Sequence, residues 1–182
     1  MESIIQGVKK MIKLFKIIIV ITIFISPKTL ISADMSGYLL NKAIKEFNDK
    51  NYVQAYETLT NIAPTGNPVA TYLLGQMYLK GLGIEINNKL AFDMILYSSQ
   101  KLFQHDKALA LEAQITLSNM YDKGVGTDEN KSEAYMWAYI AYKTSENMHL
   151  TYLKKLQTNL SKQDITNAEK KGAKLFKNIL KD

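Results

Sequence analysis

The sequence predicts an all-α fold, a short α-α superhelix of antiparallel helix pairs. Three observations predict it. The corner Met77-Tyr-Leu-Lys-Gly-Leu-Gly83 recurs as Met120-Tyr-Asp-Lys-Gly-Val-Gly126. A shift of 43 residues aligns more than the corner: Ala70 meets Ala113, Leu74 meets Leu117, Asn87 meets Asn130 and Ala91 meets Ala134. The apolar residues Ala70, Leu73, Leu74, Met77 and Tyr78 follow the i, i+3, i+4, i+7, i+8 spacing of one helical face. A fixed period of this size marks stacked helix pairs.

The chain opens on an address. Basic residues around Met11–Lys16 precede the apolar run Ile17–Ile25, and Ile31-Ser-Ala33 supplies a small-residue cleavage site. Residues 1–33 are therefore expected to be a Sec-type signal peptide cleaved after Ala33, and translation from Met11 gives the more typical signal. The competing reading is an uncleaved inner-membrane anchor. It is the weaker one, because the run from Leu14 to Ile25 is 12 residues long and contains Lys16, whereas a spanning helix needs roughly 20 apolar residues. The expected mature protein, residues 34–182, is periplasmic or secreted.

Within that domain an opening helix pair is expected over 36–63, with Asp49-Lys-Asn51 as its turn. Pro64-Thr-Gly-Asn-Pro68 links it to repeat one, residues 68–104, whose helices span 68–80 and 88–103. Repeat two, 108–146, pairs helices over 108–123 and 131–145. Gly81 and Gly124 lie just past a first helix, where a left-handed residue closes the helix end. Gly83 and Gly126 are expected to let the chain turn tightly under the next helix. Asn87 and Asn130 then cap the second helix, with Glu133 completing a capping box at the second corner. Small Ala91 and Ala134 let the two helices approach. Capping helices close the domain over 149–180, the last starting at Ser161 with Asp164 in its first turn.

A glycine-rich turn could instead cradle phosphate, but phosphate loops open a helix, where free N–H groups face the ligand. These glycines close one, where the dipole end is negative.

At these residues the chain resembles the Sel-1-like repeat family, relatives of the tetratricopeptide repeats. The family pattern, A-x3-L-G-x2-Y-x2-G-x-G-V-x2-D-x3-A, meets Ala70, Leu74, Gly75, Tyr78, Gly81, Gly83, Ile84, Asn87 and Ala91 in the first copy. The second supplies Ala113, Leu117, Ser118, Tyr121, Gly124, Gly126, Thr127, Asn130 and Ala134. Asn replaces the family's Asp cap twice, and Ser118 replaces a Gly. Tyr135-Met-Trp-Ala-Tyr-Ile-Ala-Tyr142 fits the family's aromatic-and-Ala helix better than Ala91–Ser99 does. Residues 38–63 look like a tetratricopeptide-type opening pair, so the resemblance covers nearly all of 38–180.

The resemblance implies an interaction module. In such arrays the first helix of each pair lines the inner, concave surface. Its non-core positions here are Tyr72, Gln76 and Leu79, with Ile115, Asn119 and Asp122 as their equivalents one repeat on. These six are the candidate groove residues, and the expected ligand is a peptide or protein. Tyr135, Tyr139 and Tyr142 share a helical stripe, read first as packing between repeats.

Charge and composition exclude several classes. All 23 basic residues are lysine, which removes the planar guanidinium fork used to read bases. The net charge of +6 is concentrated at the ends: residues 34–149 carry 10 lysines against 13 acids, while 150–182 carry 8 against 3. No basic stripe runs along the body, so nucleic acid is not an expected partner. Membrane contact is expected only through residues 1–33, if they are uncleaved. Lys170, Lys171, Lys174 and Lys177 read first as a solvated face on the closing helix, second as a patch for an acidic partner or an anionic surface.

The chain has no cysteine and two separated histidines, His105 and His149, so no metal and no other cofactor is expected. No catalytic constellation is present, so the chain is read as a non-enzyme and a monomer. The alternative is an envelope enzyme or ligand binder acting on peptidoglycan or a β-lactam-like compound, which the family resemblance permits but no residue pattern supports.

Overall fold

In the computed structural model, residues 33–146 and 149–181 are described. The expected signal segment lies outside them, apart from Ala33. Eight helices follow in order: α1 (Ala33–Asn48), α2 (Tyr52–Ile62), α3 (Pro68–Lys80), α4 (Asn88–Lys101), α5 (Lys107–Lys123), α6 (Lys131–Thr144), α7 (Leu150–Gln157) and α8 (Lys162–Ile179). Short 3-10 turns, Ala63–Thr65 and Leu102–Gln104, end α2 and α4. There is no strand among the described residues. The all-α superhelix read from the sequence is the fold observed. Leu39–Asp182 forms one unit; Ala33–Tyr38, the first turns of α1, fall in another.

Helices α3, α4, α5, α6 and α8 each start where a polar side chain takes up free backbone N–H groups. Asn67 Oδ1 accepts from the Val69 and Ala70 amides at 3.0 Å, ahead of Pro68, which has no N–H to satisfy. Asp106 Oδ1 accepts from Ala108 and Leu109 at the start of α5. Asn87 and Asn130 do the same for α4 and α6 through the amides of Leu90 and Glu133, both at 3.0 Å. Ser161 Oγ accepts the Asp164 amide at 3.1 Å.

The two repeat corners are built alike. Gly81 (φ 67°) and Gly124 (φ 65°) close α3 and α5 in the left-handed conformation. The next amides, of Leu82 and Val125, reach back to the Met77 and Met120 carbonyls at 3.0 and 2.9 Å, the Schellman pattern. Asn87 and Asn130 then donate their own N–H groups to the Tyr78 and Tyr121 carbonyls at 3.0 and 2.8 Å.

That last bond corrects one detail of the sequence reading. The amide of Asn130 is already satisfied by Tyr121, so Glu133 does not fold back to complete a capping box; its carboxylate pairs with Lys171 of α8. A second correction concerns the outer glycines. Gly83 packs against Tyr52 and Val53 at the start of α2, and Gly126 against Asn88 and Phe92 at the start of α4. Each glycine lies under the second helix of the preceding pair, not under the helix it leads into. These contacts fix how one pair stacks on the next.

Aromatic contacts repeat the same relation. Tyr78 meets Tyr56 of α2 edge-on, with ring centroids 6.1 Å apart and hydroxyls 2.9 Å apart. Tyr121 meets Phe92 of α4 edge-on at 5.2 Å. The hydrogen bond with Tyr56, with burial second, pushes the Tyr78 phenol up to about 12.

Two apolar cores result. The first joins α1, α2 and α3 through Ala43, Ala55, Leu59, Ile62, Ala70, Leu74 and Met77. The second runs from α3 to α8 and holds Ile95, Leu117, Tyr135, Trp137 and Ile140. Within each repeat the two helices approach closely. An added Cβ at Gly75 would sit 2.9 Å from Ile95 Cγ1 and 3.5 Å from the Ala91 carbonyl oxygen. Ser118, one repeat on, is accommodated because its hydroxyl donates to the equivalent carbonyl, Ala134, at 2.6 Å.

The closing helix α8 returns onto α6. Phe176 meets Phe103 edge-on at 6.0 Å, and Gln104 Nε2 donates to the Leu180 carbonyl at 3.1 Å, so α8 also ties down the end of α4. Tyr135 joins three helices: its hydroxyl donates to Glu169 Oε1 of α8 and accepts from Gln157 Nε2 of α7, both at 2.8 Å. Burial and then the Glu169 carboxylate push its phenol up to about 12 from an ordinary 10.0. A raised value means that the folded chain favours the neutral phenol. That contribution is complete below pH 10 and is lost as pH rises through 12. Tyr135→Phe is expected to cost about 1–2 kcal/mol at neutral pH, through the two lost hydrogen bonds. It should also flatten the alkaline fall of stability in urea titrations across that window. An unchanged alkaline limb would show that Tyr135 is not among the groups responsible.

Candidate functional site

The first helices of the successive pairs, α1, α3 and α5, line one groove of about 620 Å³. From α1 come Ile44, Phe47 and Asn48; from α3, Val69, Tyr72, Leu73, Gln76 and Lys80; from α5 and its cap, Asp106, Leu109, Glu112, Ile115 and Thr116. The lining is largely aliphatic and aromatic, with Lys80 and the carboxylates of Asp106 and Glu112 among the polar groups.

One polar chain crosses the groove floor. Gln76 Nε2 donates to the Tyr72 hydroxyl at 3.1 Å, and that hydroxyl donates to Glu112 Oε2 at 3.4 Å, joining α3 to α5. Burial, and next the Glu112 charge, push the Tyr72 phenol well above its ordinary value, so it stays a neutral donor at any physiological pH. The second bond is long, and Glu112 is exposed, so most of its acceptor capacity faces the groove.

The six candidate residues separate into three groups. Tyr72, Gln76 and Ile115 line the groove. Leu79 and Asn119 line an adjoining hollow of about 210 Å³ with Met120, Lys123 and Val125, and Thr116 borders both. Asp122 lines neither: its carboxylate and carbonyl both receive Lys131 Nζ, at 3.1 and 2.6 Å. Asn119 Oδ1 accepts from the Tyr152 hydroxyl of α7 at 3.1 Å, while its Nδ2 donates to the Ile115 carbonyl.

Tyr72 and Gln76 are also not the open positions the sequence suggested. They are 3% and 6% exposed. The middle helix of three is covered from both sides, and Ala70 through Met77 is buried without interruption. Their polar ends reach the groove through hydrogen bonds, not through free surface. Ile115 is half-buried and belongs to neither core. Phe47, Leu109 and Glu112 belong to the lining but were not picked out by the 43-residue shift, which compares a repeat only with its equivalent.

Among the described residues, no group of three or more His, Asp or Glu is placed to hold a metal ion. No helix among them is long and apolar enough to cross a membrane.

The Sel1 repeat family model matches residues 68–96 and 111–143, which take in α3 with the first part of α4, and most of α5 and α6, with both glycine corners. The chain carries two Sel1 repeats. The resemblance drawn from the corners is thereby borne out. Solved structures agree on the fold. One is a protective antigen of uropathogenic Escherichia coli strains displaying an SLR fold, with a TM-score of 0.69 and 18% identity over 79% of this chain and 30% of that one. Another is a Sel1 repeat protein from Oxalobacter formigenes, with a TM-score of 0.55 and 29% identity over 64% of this chain and 45% of that one. The chain thus covers less than half the length of either. No curated protein sequence matches it significantly. Sel1-repeat proteins are generally scaffolds that bind protein partners, and the repeat is typically a non-catalytic module.

Proposed function

We propose that this Sel1-repeat protein is an exported adaptor that holds a short peptide segment of a partner protein in the groove of α1, α3 and α5. The groove's composition carries the proposal. Its volume of about 620 Å³ falls within the range of sites that enclose a few side chains, and its apolar lining with a few convergent polar groups is what such sites use. Ile44, Phe47, Leu109 and Ile115 offer apolar seats. Glu112 and Asn48 offer hydrogen bonds to a peptide backbone. The three helices hold these groups on a rigid frame, so little ordering is left to be done on binding. Export rests on the signal-like residues 1–33, and the working compartment would be the periplasm or the exterior.

Ile115 gives the cleanest test, because it packs into neither core. The C-terminally tagged chain is cross-linked in living cells, and captured proteins are compared between wild type and Ile115→Glu. A carboxylate at this seat should reduce capture of the specific partner at least tenfold while the helical spectrum stays the same. Equal capture by both would remove the groove from the binding site. The bait's own N-terminal peptide, read in the same run, reports on export: a start at Asp34 supports it, and intact residues 1–33 count against cleavage.

A further inference from the structure

The outer face of α8 carries a charge pattern that the groove does not use. Lys170, Lys174, Lys177 and Lys181 recur at i, i+4, i+7 and i+11, which places them on one stripe of the helix and the turn that follows it. At 1.5 Å per residue the stripe is about 16 Å long. All four side chains are exposed. None makes an ion pair with another described residue, whereas Lys42, Lys45, Lys89, Lys107, Lys131 and Lys171 all do.

Among the described residues, the carboxylates on α8 and on α6 beneath it are engaged elsewhere. Glu169 accepts from Tyr135, Asp164 from Ser161, and Glu133 of the underlying α6 is held by Lys171. The remaining exposed residues of this face, Gln163, Thr166, Asn167, Ala173 and Asn178, are uncharged. The apolar side of α8, with Ile165, Ala168, Leu175, Phe176 and Ile179, is committed to the core.

We infer that this face docks flat on a membrane leaflet rich in anionic phospholipid. Four like charges held in a row, with no described carboxylate among them, complement an anionic surface. What the face lacks selects which kind. A protein interface depends on a few buried aromatic or aliphatic anchors, and lysine is depleted at interface centres. This face offers no anchor between Gln163 and Asn178. A lysine ammonium is a hydrated point charge on a flexible stem, suited to a diffuse field of headgroups and not to forked recognition of one carboxylate. None of the groove-lining residues belongs to α8, so the groove's role and this docking stand or fall separately.

The test measures partitioning of the full chain onto vesicles of one part phosphatidylglycerol to two parts phosphatidylcholine, against pure phosphatidylcholine. Wild type is compared with Lys170→Gln/Lys174→Gln/Lys177→Gln and with the matching Lys→Arg variant. The N-terminal segment is common to all three, so differences between them report on α8. Each lysine is expected to be worth about fivefold, so the triple Gln variant should bind the anionic vesicles about a hundredfold more weakly. The Arg variant should bind like wild type, and raised salt should erase the difference, as screening requires. Equal partitioning of wild type and the Gln variant onto anionic vesicles would overturn the proposal. So would a lysine-dependent preference for soluble polyglutamate over the vesicles, which would assign the face to an acidic protein instead.

Discussion

Gly126→Ala is expected to remove about 2–5 kcal/mol of stability, a large fraction of the roughly 5–15 kcal/mol that holds a domain folded. Two costs add. At φ 73° the residue is left-handed, which an L side chain occupies at a cost of about 1–2 kcal/mol. The new Cβ would also lie 2.0 Å from the Asn88 carbonyl oxygen and 2.7 Å from its carbon. Those are backbone atoms at the start of α4, so no side chain can swing aside. The corner or α4 must move, at an overpacking cost of about 1–3 kcal/mol. Thermal unfolding should drop by about 10 °C, from the usual conversion for a domain of this length.

Gly124→Ala is the internal comparison. It has nearly the same φ, 65°, but its Cβ would meet the Glu129 amide nitrogen no closer than 3.2 Å. It should show the backbone cost with little of the clash, about 1–2 kcal/mol. If both variants lose the same amount, the contact between Gly126 and the preceding pair contributes nothing, and the stacking relation inferred from it is wrong. Gly83 provides an independent check at the other corner. Its Cβ would sit 2.8 Å from Tyr52 Cβ and 3.1 Å from the Tyr52 carbonyl carbon, so Gly83→Ala should fall between the two.

The corners show what was legible in the chain. A helix end needs a left-handed residue, the next helix needs a cap, and both requirements are local, so Gly81, Gly124, Asn87 and Asn130 carry their roles in their spacing. The function of Gly83 and Gly126 was half legible. The need for a missing Cβ was plain, but what fills the space is a helix 31 to 38 residues earlier in the chain, at Tyr52 and Asn88, and no local rule points there. Burial of Tyr72 and Gln76 escaped for a related reason. A one-face reading of α3 assigns them outward, yet α3 is flanked by neighbours on both sides and has almost no open face. The run Val69–Met77 has few charged or strongly polar residues on any side, which was the available signal. Of the six candidates, Tyr72, Gln76 and Ile115 line the hollow shared by α3 and α5, while α1's share, through Ile44, Phe47 and Asn48, lay outside the repeat comparison altogether.

Gly172→Leu is expected to cost about 3 kcal/mol, and to spend it in one place. Gly172 lies mid-helix in α8, where the backbone is ordinary and glycine is a poor choice by about 1 kcal/mol relative to alanine. Its justification is contact. A Cβ there would be 3.0 Å from Tyr139 Cδ1, 3.3 Å from Met136 Cγ and 3.4 Å from the Met136 carbonyl oxygen of α6. Alanine meets mostly a half-buried ring that can shift by a few tenths of an ångström, so Gly172→Ala should be near neutral, clash and propensity offsetting. Leucine cannot be accommodated that way, because its further carbons run into the α6 backbone. The helix must then lift, and with it Tyr135–Glu169, Lys171–Glu133 and Phe176–Phe103, three contacts that hold α8 down. Amide exchange separates this from general damage. Residues 162–179 and the α6 face beneath them should lose protection, while α1–α3, built around their own apolar core, should keep theirs. Loss spread evenly over both cores would mean that the closing helix is not an independent cap but part of one cooperative unit with the repeats. In that case the apolar side of α6 would depend on the whole stack for its cover, and shortening the chain at its C-terminal end would unfold the opening pair as well.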